Sequence, residues 1–188
     1  MPGGQPRVNR LRVLLPAAGV TVACVGAALA WLLLGADTAV AVTPPKVDAA
    51  TQAACADLQR HLPATVAGQK RDTTSPSSPL TAAWGSSPIV LTCGVGEPSI
   101  MVSGSKNYDP NVNAVYTAGI NWLVDPTSDG YAFVAIYRSV YVEVFLPKSY
   151  DLASTQAPTT DAITDLSPAV VAGTTRNDGR AGADVAPV

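Results

Sequence analysis

The stretch Ala132–Pro147, AFVAIYRSVYVEVFLP, decides the fold. Two runs rich in β-branched and aromatic residues flank Arg138-Ser139, and Pro147 closes the second run. Such runs read as strands, Ala132–Tyr137 and Val140–Leu146, and a two-residue connection allows a tight antiparallel hairpin. Proline cannot donate to a sheet ladder, so Pro147 ends the second strand. Side chains alternate across a strand. Val140, Val142, Val144 and Leu146 therefore share one face, and Tyr141, Glu143 and Phe145 share the other. The aliphatic face is the expected core.

Reading outward, Ile89-Val90-Leu91-Thr92-Cys93 is a buried strand closed by Gly94, and Arg71–Pro79 is a turn-rich loop. Tyr116–Val124 is a further strand, with a bulge or close contact at Gly119. Before the strands, Thr51 can cap a helix that runs to about Leu62 and stops at Pro63. Cys55, Leu58 and Leu62 fall at i, i+3 and i+7, so the cysteine faces the core with the leucines. After the strands, Thr160 can cap a segment whose Ile163, Leu166, Ala169 and Val170 line one side. Pro168 kinks that helix, or Ser167-Pro168 begins a second short one. The order helix, strands, helix predicts an α+β domain with a mainly antiparallel sheet and two flanking helices.

The N-terminus has a different character. Val13–Ala36 is 24 residues without a charge. As a helix it spans about 36 Å, against roughly 30 Å for a hydrocarbon core. Arg7, Arg10 and Arg12 precede it and Asp37 is the first charge after it, which by the positive-inside rule leaves the N-terminus in the cytoplasm. Three readings compete: a retained signal anchor, a signal peptide cleaved at Ala39-Val40-Ala41, and a lipoprotein signal at Cys24. The apolar run exceeds the length of a signal-peptide core, and apolar residues continue past Cys24, which favours the anchor. The expected organisation is a basic lead over 1–12, a transmembrane helix over 13–36, a spacer over 37–50, an extracytoplasmic domain over 51–172 and a loose tail over 173–188.

The charge follows the same division. The chain has 188 residues and a net charge of −2 from 12 Lys+Arg and 14 Asp+Glu. Residues 1–36 carry three Arg and no acid, so the remainder carries nine bases against fourteen acids, or −5. An acidic body lacks the clustered Lys and Arg that phosphate backbones require, so no nucleic-acid partner is expected. With Cys24 in the apolar segment, Cys55 and Cys93 form an even pair outside the membrane, which reads as a structural disulfide from the first helix to the strand ending at Cys93. A redox-active pair is the alternative, but it usually has Cys-x-x-Cys spacing or a local activating base.

Catalytic signals are sparse. His61 is the single histidine and sits at a helix end; no Gly-x-Ser-x-Gly elbow or phosphate loop occurs. Gly94-Val95-Gly96 continues into Glu97-Pro98 and is not a dinucleotide loop. No cofactor and no metal site is expected. Asp109, Asp125 and Asp129 stand in turn-like contexts, where Asp is favoured for backbone reasons. Glu143 is the one charge inside a strongly apolar strand, and Arg138 at the preceding turn can pair with it or with an acidic ligand. These two residues form the candidate surface site. Trp84 and Trp122 read as core.

Several segments together resemble the actinobacterial domain-of-unknown-function 3515 family. They are Cys55-Ala56-Asp57-Leu58-Gln59-Arg60-His61-Leu62-Pro63, Ala82-Ala83-Trp84-Gly85, Pro88-Ile89-Val90-Leu91-Thr92-Cys93-Gly94-Val95, Ile120-Asn121-Trp122, Tyr141–Pro147 and Leu166-Ser167. The resemblance covers about residues 55–171, with departures at Ser86-Ser87 and Thr92. It implies export with an N-terminal membrane segment or lipoprotein signal, supports the disulfide, and implies no catalytic residues. The expected function is a non-catalytic envelope module that binds a partner protein or wall component beside the membrane. The alternative is an envelope hydrolase using Glu143 or a loop aspartate with Arg138.

Overall fold

A computed structural model describes residues 39–112, 114–153, 155 and 157–177. The expected membrane span, 13–36, lies outside the described residues, among which no helix is long and apolar enough to cross a membrane. The elements are β1 (Val40–Ala41), α1 (Ala49–His61), β2 (Thr65–Val66), β3 (Gln69–Asp72), β4 (Thr74–Ser75), β5 (Thr81–Trp84), β6 (Ile89–Val95), β7 (Ala114–Thr117), β8 (Ile120–Pro126), β9 (Gly130–Ile136), β10 (Tyr141–Pro147) and α2 (Asp161–Gly173).

Eight strands form one sheet in the order β2-β3-β5-β6-β10-β9-β8-β7, every neighbour antiparallel. β1 pairs parallel with β4 in a separate two-stranded sheet. The domain is therefore α+β with a mainly antiparallel sheet and two helices. β10 lies between β6 and β9, and Val142, Val144 and Leu146 are fully buried. Both helices supply the same core: Cys55 and Leu58 from α1, and Ala162, Ile163, Leu166, Ala169 and Val170 from α2. The disulfide joins Cys55 to Cys93, helix to central strand.

α1 begins earlier than Thr51. Asp48 is the N-cap, and its carboxylate accepts the Thr51 N–H at 2.7 Å. Asp is among the best caps, so the helix starts as soon as one is available. α2 starts after Thr160, and Thr159 Oγ1 accepts the Asp161 N–H at 3.1 Å. It runs as one helix through Pro168. Ser167 Oγ donates to Ile163 O at 2.6 Å and accepts Trp122 Nε1–H at 3.0 Å, so a buried hydroxyl links this turn to β8. Trp84 donates its indole N–H to Pro63 O at 3.2 Å. Both tryptophans are core residues with satisfied donors.

Two expected features differ. Tyr116–Val124 is a hairpin, not one strand: Thr117 faces Ile120 across the two-residue turn Ala118-Gly119, both at positive φ (45° and 85°). That combination matches the twist of a tight hairpin, and Ala67-Gly68 repeats it between β2 and β3. The β9–β10 connection is longer than Arg138-Ser139, running from Tyr137 to Val140. It takes up residues after α2: Ser139 N donates to Thr175 O at 2.8 Å, and Asn177 N to Tyr137 O at 2.8 Å. The stretch 174–177, composed like a loose tail, is held against the β9–β10 connection.

α1 and α2 meet at a glycine. A Cβ on Gly173 would stand 2.4 Å from Leu58 Cα, a backbone atom that cannot move aside. Gly173→Ala is expected to destabilise the domain by about 1–3 kcal/mol through forced overpacking. Gly96→Ala, with nothing within 4 Å of its Cβ, should stay within about 0.5 kcal/mol of the parent in thermal unfolding. The disulfide closes a loop with a sequence separation of 38. Its reduction should remove up to about 4 kcal/mol in denaturant titrations. Free alkylation of Cys55 and Cys93 in the untreated protein would contradict the bond.

Candidate functional site

The face of β10 opposite the helices carries Tyr141, Glu143 and Phe145. Antiparallel register sets Glu143 beside Val134 on β9 and Thr92 on β6. The same face continues through Ala132, Val134 and Ile136 to Leu123 and Asp125 on β8. It is not open to solvent along its length. The connection after β6, residues 96–112, folds over it, and Ile100, Met101 and Val112 pack against buried Leu123, Val134 and Ile136.

Local bonds hold this connection in place. Asp109 N donates to Ile100 O at 2.9 Å, and Asn107 Nδ2 donates to Ser99 Oγ at 3.3 Å. Tyr141 donates its hydroxyl to Glu97 Oε1 at 3.2 Å, tying the connection to β10. Asp109 accepts the Asn111 N–H at 2.8 Å, the turn role expected of it.

Between connection and sheet lies a cavity of about 490 Å³. Glu143 and Asp125 are its carboxylates, Ser99 and Asn107 its neutral polar groups, and Leu123 and Val134 part of its floor. Among the described residues no Lys or Arg lines it. Asp125 and Glu143 lie on either side of β9, about 10 Å apart across the strands and offset by two residues along them, Asp125 opposite Ala132 and Glu143 opposite Val134. Partial burial pushes the Glu143 carboxyl above its ordinary value, and the Asp125 charge adds to the rise.

Sequence reasoning named Asp125 among the turn aspartates and did not place it beside Glu143. Asp125-Pro126 reads as a turn, but β8 runs through it and pairs Asp125 with Ala132. The period-two spacing from Leu123 was the available signal.

Arg138 is placed elsewhere. Its Nε donates to Thr174 Oγ1 at 2.8 Å, and Nη2 reaches Val170 O at 3.4 Å, Val171 O at 3.3 Å and Thr174 O. A guanidinium thereby caps carbonyls at the C-terminus of α2, where the helix dipole favours a cation. Burial and then the neighbouring Arg176 lower its pKa. Arg138 and Glu143 line separate cavities, so the expected pairing of these two is not assembled. His61 Nδ1 is 3.0 Å from Asp57 O on the exposed end of α1, and Asp57 pairs with Arg60. Among the described residues no cluster of three or more His, Cys, Asp or Glu could hold a metal ion.

These features define a disulfide-tied α+β domain with an acidic, loop-covered cavity on the outer face of its sheet. The chain belongs to the family described as Protein of unknown function (DUF3515), whose profile matches residues 13–178. The match extends past residues 55–171 and takes in the apolar N-terminal segment. No curated protein and no solved structure matches the chain.

The raised Glu143 value has a definite sign. Between the ordinary and the raised pKa the folded state binds more protons than the unfolded state, so stability falls as pH rises. The Glu143 contribution is intact below the ordinary glutamate range and is lost through the folded pKa. Glu143→Gln should therefore match the parent near pH 4 and exceed its melting temperature near pH 7. Equal melting temperatures at both pH values would contradict the assignment.

Proposed function

We propose that this protein is a membrane-anchored, extracytoplasmic binding module of the cell envelope, and that it is not a catalyst. The charge-free run over 13–36 with arginines before it supports the anchor and its direction. The Cys55–Cys93 bond suits an oxidising compartment.

The observation that carries the binding role is the outer-face cavity. It pairs two carboxylates with an apolar floor and, among the described residues, has no cation to neutralise them. A partner fits by inserting a basic group on an apolar stem, such as a lysine or arginine side chain, between Glu143 and Asp125. Ser99, its hydroxyl lining residue, lies against Asn107 and not against a base, so no activated nucleophile is present there.

One observation favours a second reading. The raised Glu143 carboxyl is the property a general acid needs, which fits an envelope hydrolase with Glu143 as acid and Asp125 as second carboxylate.

A photo-crosslinking residue at Asn107 in the full chain, expressed in cells, separates these readings. A discrete partner should be captured from Asn107 and not from the exposed position Lys70, and Glu143→Gln with Asp125→Asn should reduce capture at least about tenfold. Capture that is unaltered by both changes, with cellular function lost in Glu143→Gln alone, would favour the hydrolase. The same strain tests location: protease added outside spheroplasts should digest the domain, and full protection would overturn the topology.

A further inference from the structure

The two edges of the sheet are finished differently. β2 is two residues long, Val66 is fully buried, and α2 holds the Ala67 N–H through Asp165 Oδ2 at 2.8 Å. β7, at the other edge, reads Ala114-Val115-Tyr116-Thr117. Among the described residues no strand pairs with its outer side. It carries no charge and no proline, and its register with β8 is regular, so the devices that blunt an exposed edge are missing from it. Val115 is 37% exposed and Tyr116 67%. Two further exposed apolar side chains stand close by. Tyr137 lines a cavity of about 140 Å³ with Tyr116, and a Cβ on Gly119 would stand 3.5 Å from Val171 Cγ2.

The hairpin turn sets which backbone groups of β7 point outward. Thr117 faces Ile120 across the two-residue turn, and residues in that position exchange both backbone bonds. Alternation then spends the groups of Val115 on Trp122 and aims the N–H and C=O of Ala114 and Tyr116 away from β8. Side chains alternate as well. The Thr117 hydroxyl lies 3.0 Å from that of Thr164 on α2, so Val115 is on the helix face and Ala114 and Tyr116 are on the outer face. The two ends of the strand differ in charge. Arg138 and Arg176 line the cavity at the Tyr116 end, and Asp125 lies two residues beyond Leu123, the β8 partner of Ala114.

An antiparallel partner strand must set its own outward groups opposite Ala114 and Tyr116, and charge complementarity asks that its basic end meet the acidic end. β7 itself meets both conditions when turned about a two-fold axis at Val115. Ala114 then exchanges both backbone bonds with Tyr116 of the partner subunit, and the large ring lies beside the small side chain. Val115 meets Val115 of the partner subunit across the axis. Arg176 of the partner subunit comes to the Asp125 end. The same surface serves on both copies, as an isologous contact requires. We propose that β7 pairs in this register with β7 of a second copy of this chain, joining the two eight-stranded sheets edge to edge. Four residues a side fall short of the roughly 800 Å² per partner of a standard interface, so the dimer is weak and reversible. The contact is separate from the outer-face cavity and does not depend on the reading given to that one.

The test uses the full chain in detergent with Cys24→Ser, which leaves only the bonded pair Cys55 and Cys93. Facing residues of a non-hydrogen-bonded pair have Cα atoms about 4.5 Å apart, within disulfide reach. Val115→Cys should therefore form an intermolecular disulfide under mild oxidation. It should do so at least about tenfold faster than Thr117→Cys, whose two Cα atoms stand about 13 Å or more apart in this register. Sedimentation without the added cysteine should show a monomer–dimer equilibrium, with Kd on the order of 10–100 μM. Ala114→Pro removes an outward N–H that β8 does not use, and Val115→Lys sets like charges face to face. Each should raise Kd at least about tenfold while leaving the melting temperature of the domain unchanged, and either serves if the other fails to fold. A monomer at about 0.5 mM, equal cross-linking from positions 115 and 117, or a dimer indifferent to Ala114→Pro and Val115→Lys, as a contact between the apolar N-terminal segments would give, would overturn the proposal.

Discussion

The domain depends on the attachment of α1 to the middle of the sheet. Cys55 and Cys93 are bonded, and Cys93 sits on β6 directly beside β10. This cross-link sets the helix over the aliphatic face of β10, and Leu58, one turn on, is fully buried there. α2 then has one place to pack. It closes on α1 at Gly173, where Leu58 backbone atoms leave no space for a side chain. The helices cover one sheet face, so the opposite face is left for the 96–112 connection and the acidic cavity.

Much of this was legible because apolar alternation is a local property. Val142, Val144 and Leu146 had to face one way whatever their partners, and burial of that face followed. The helix periodicity placed Cys55 and Leu58 inward for the same reason. Where local chemistry offered two choices, the tertiary context chose. Pro168 did not break α2, since the helix is held on the core by Ile163, Leu166, Ala169 and Val170 on both sides of it. The Ala-Gly pairs at 67–68 and 118–119 were weak turn signals, because alanine does not favour the positive φ that it adopts there. At the first of them the Ala67 N–H is held by Asp165 Oδ2 at 2.8 Å, a contact across 98 residues.

The candidate site shows the same division. Glu143 stood out as a charge within an apolar strand, and it does occupy a cavity. Its neighbour there is Asp125, not Arg138. Arg138 is near it in sequence, but it caps C-terminal carbonyls of α2. Asp125 is 18 positions away in sequence and becomes a neighbour because β8 and β10 both pair with β9.

The sequence alone determined the α+β class, the inward faces of β10 and of the two helices, and the pairing of the two domain cysteines. These follow from residue periodicity and from the small number of available thiols. Tertiary structure decided which charges share a cavity, where the connection after β6 lies, and what Arg138 does. Those outcomes depend on strand order and on buried polar groups that must find partners at long range, and neither is written in the spacing of neighbouring residues.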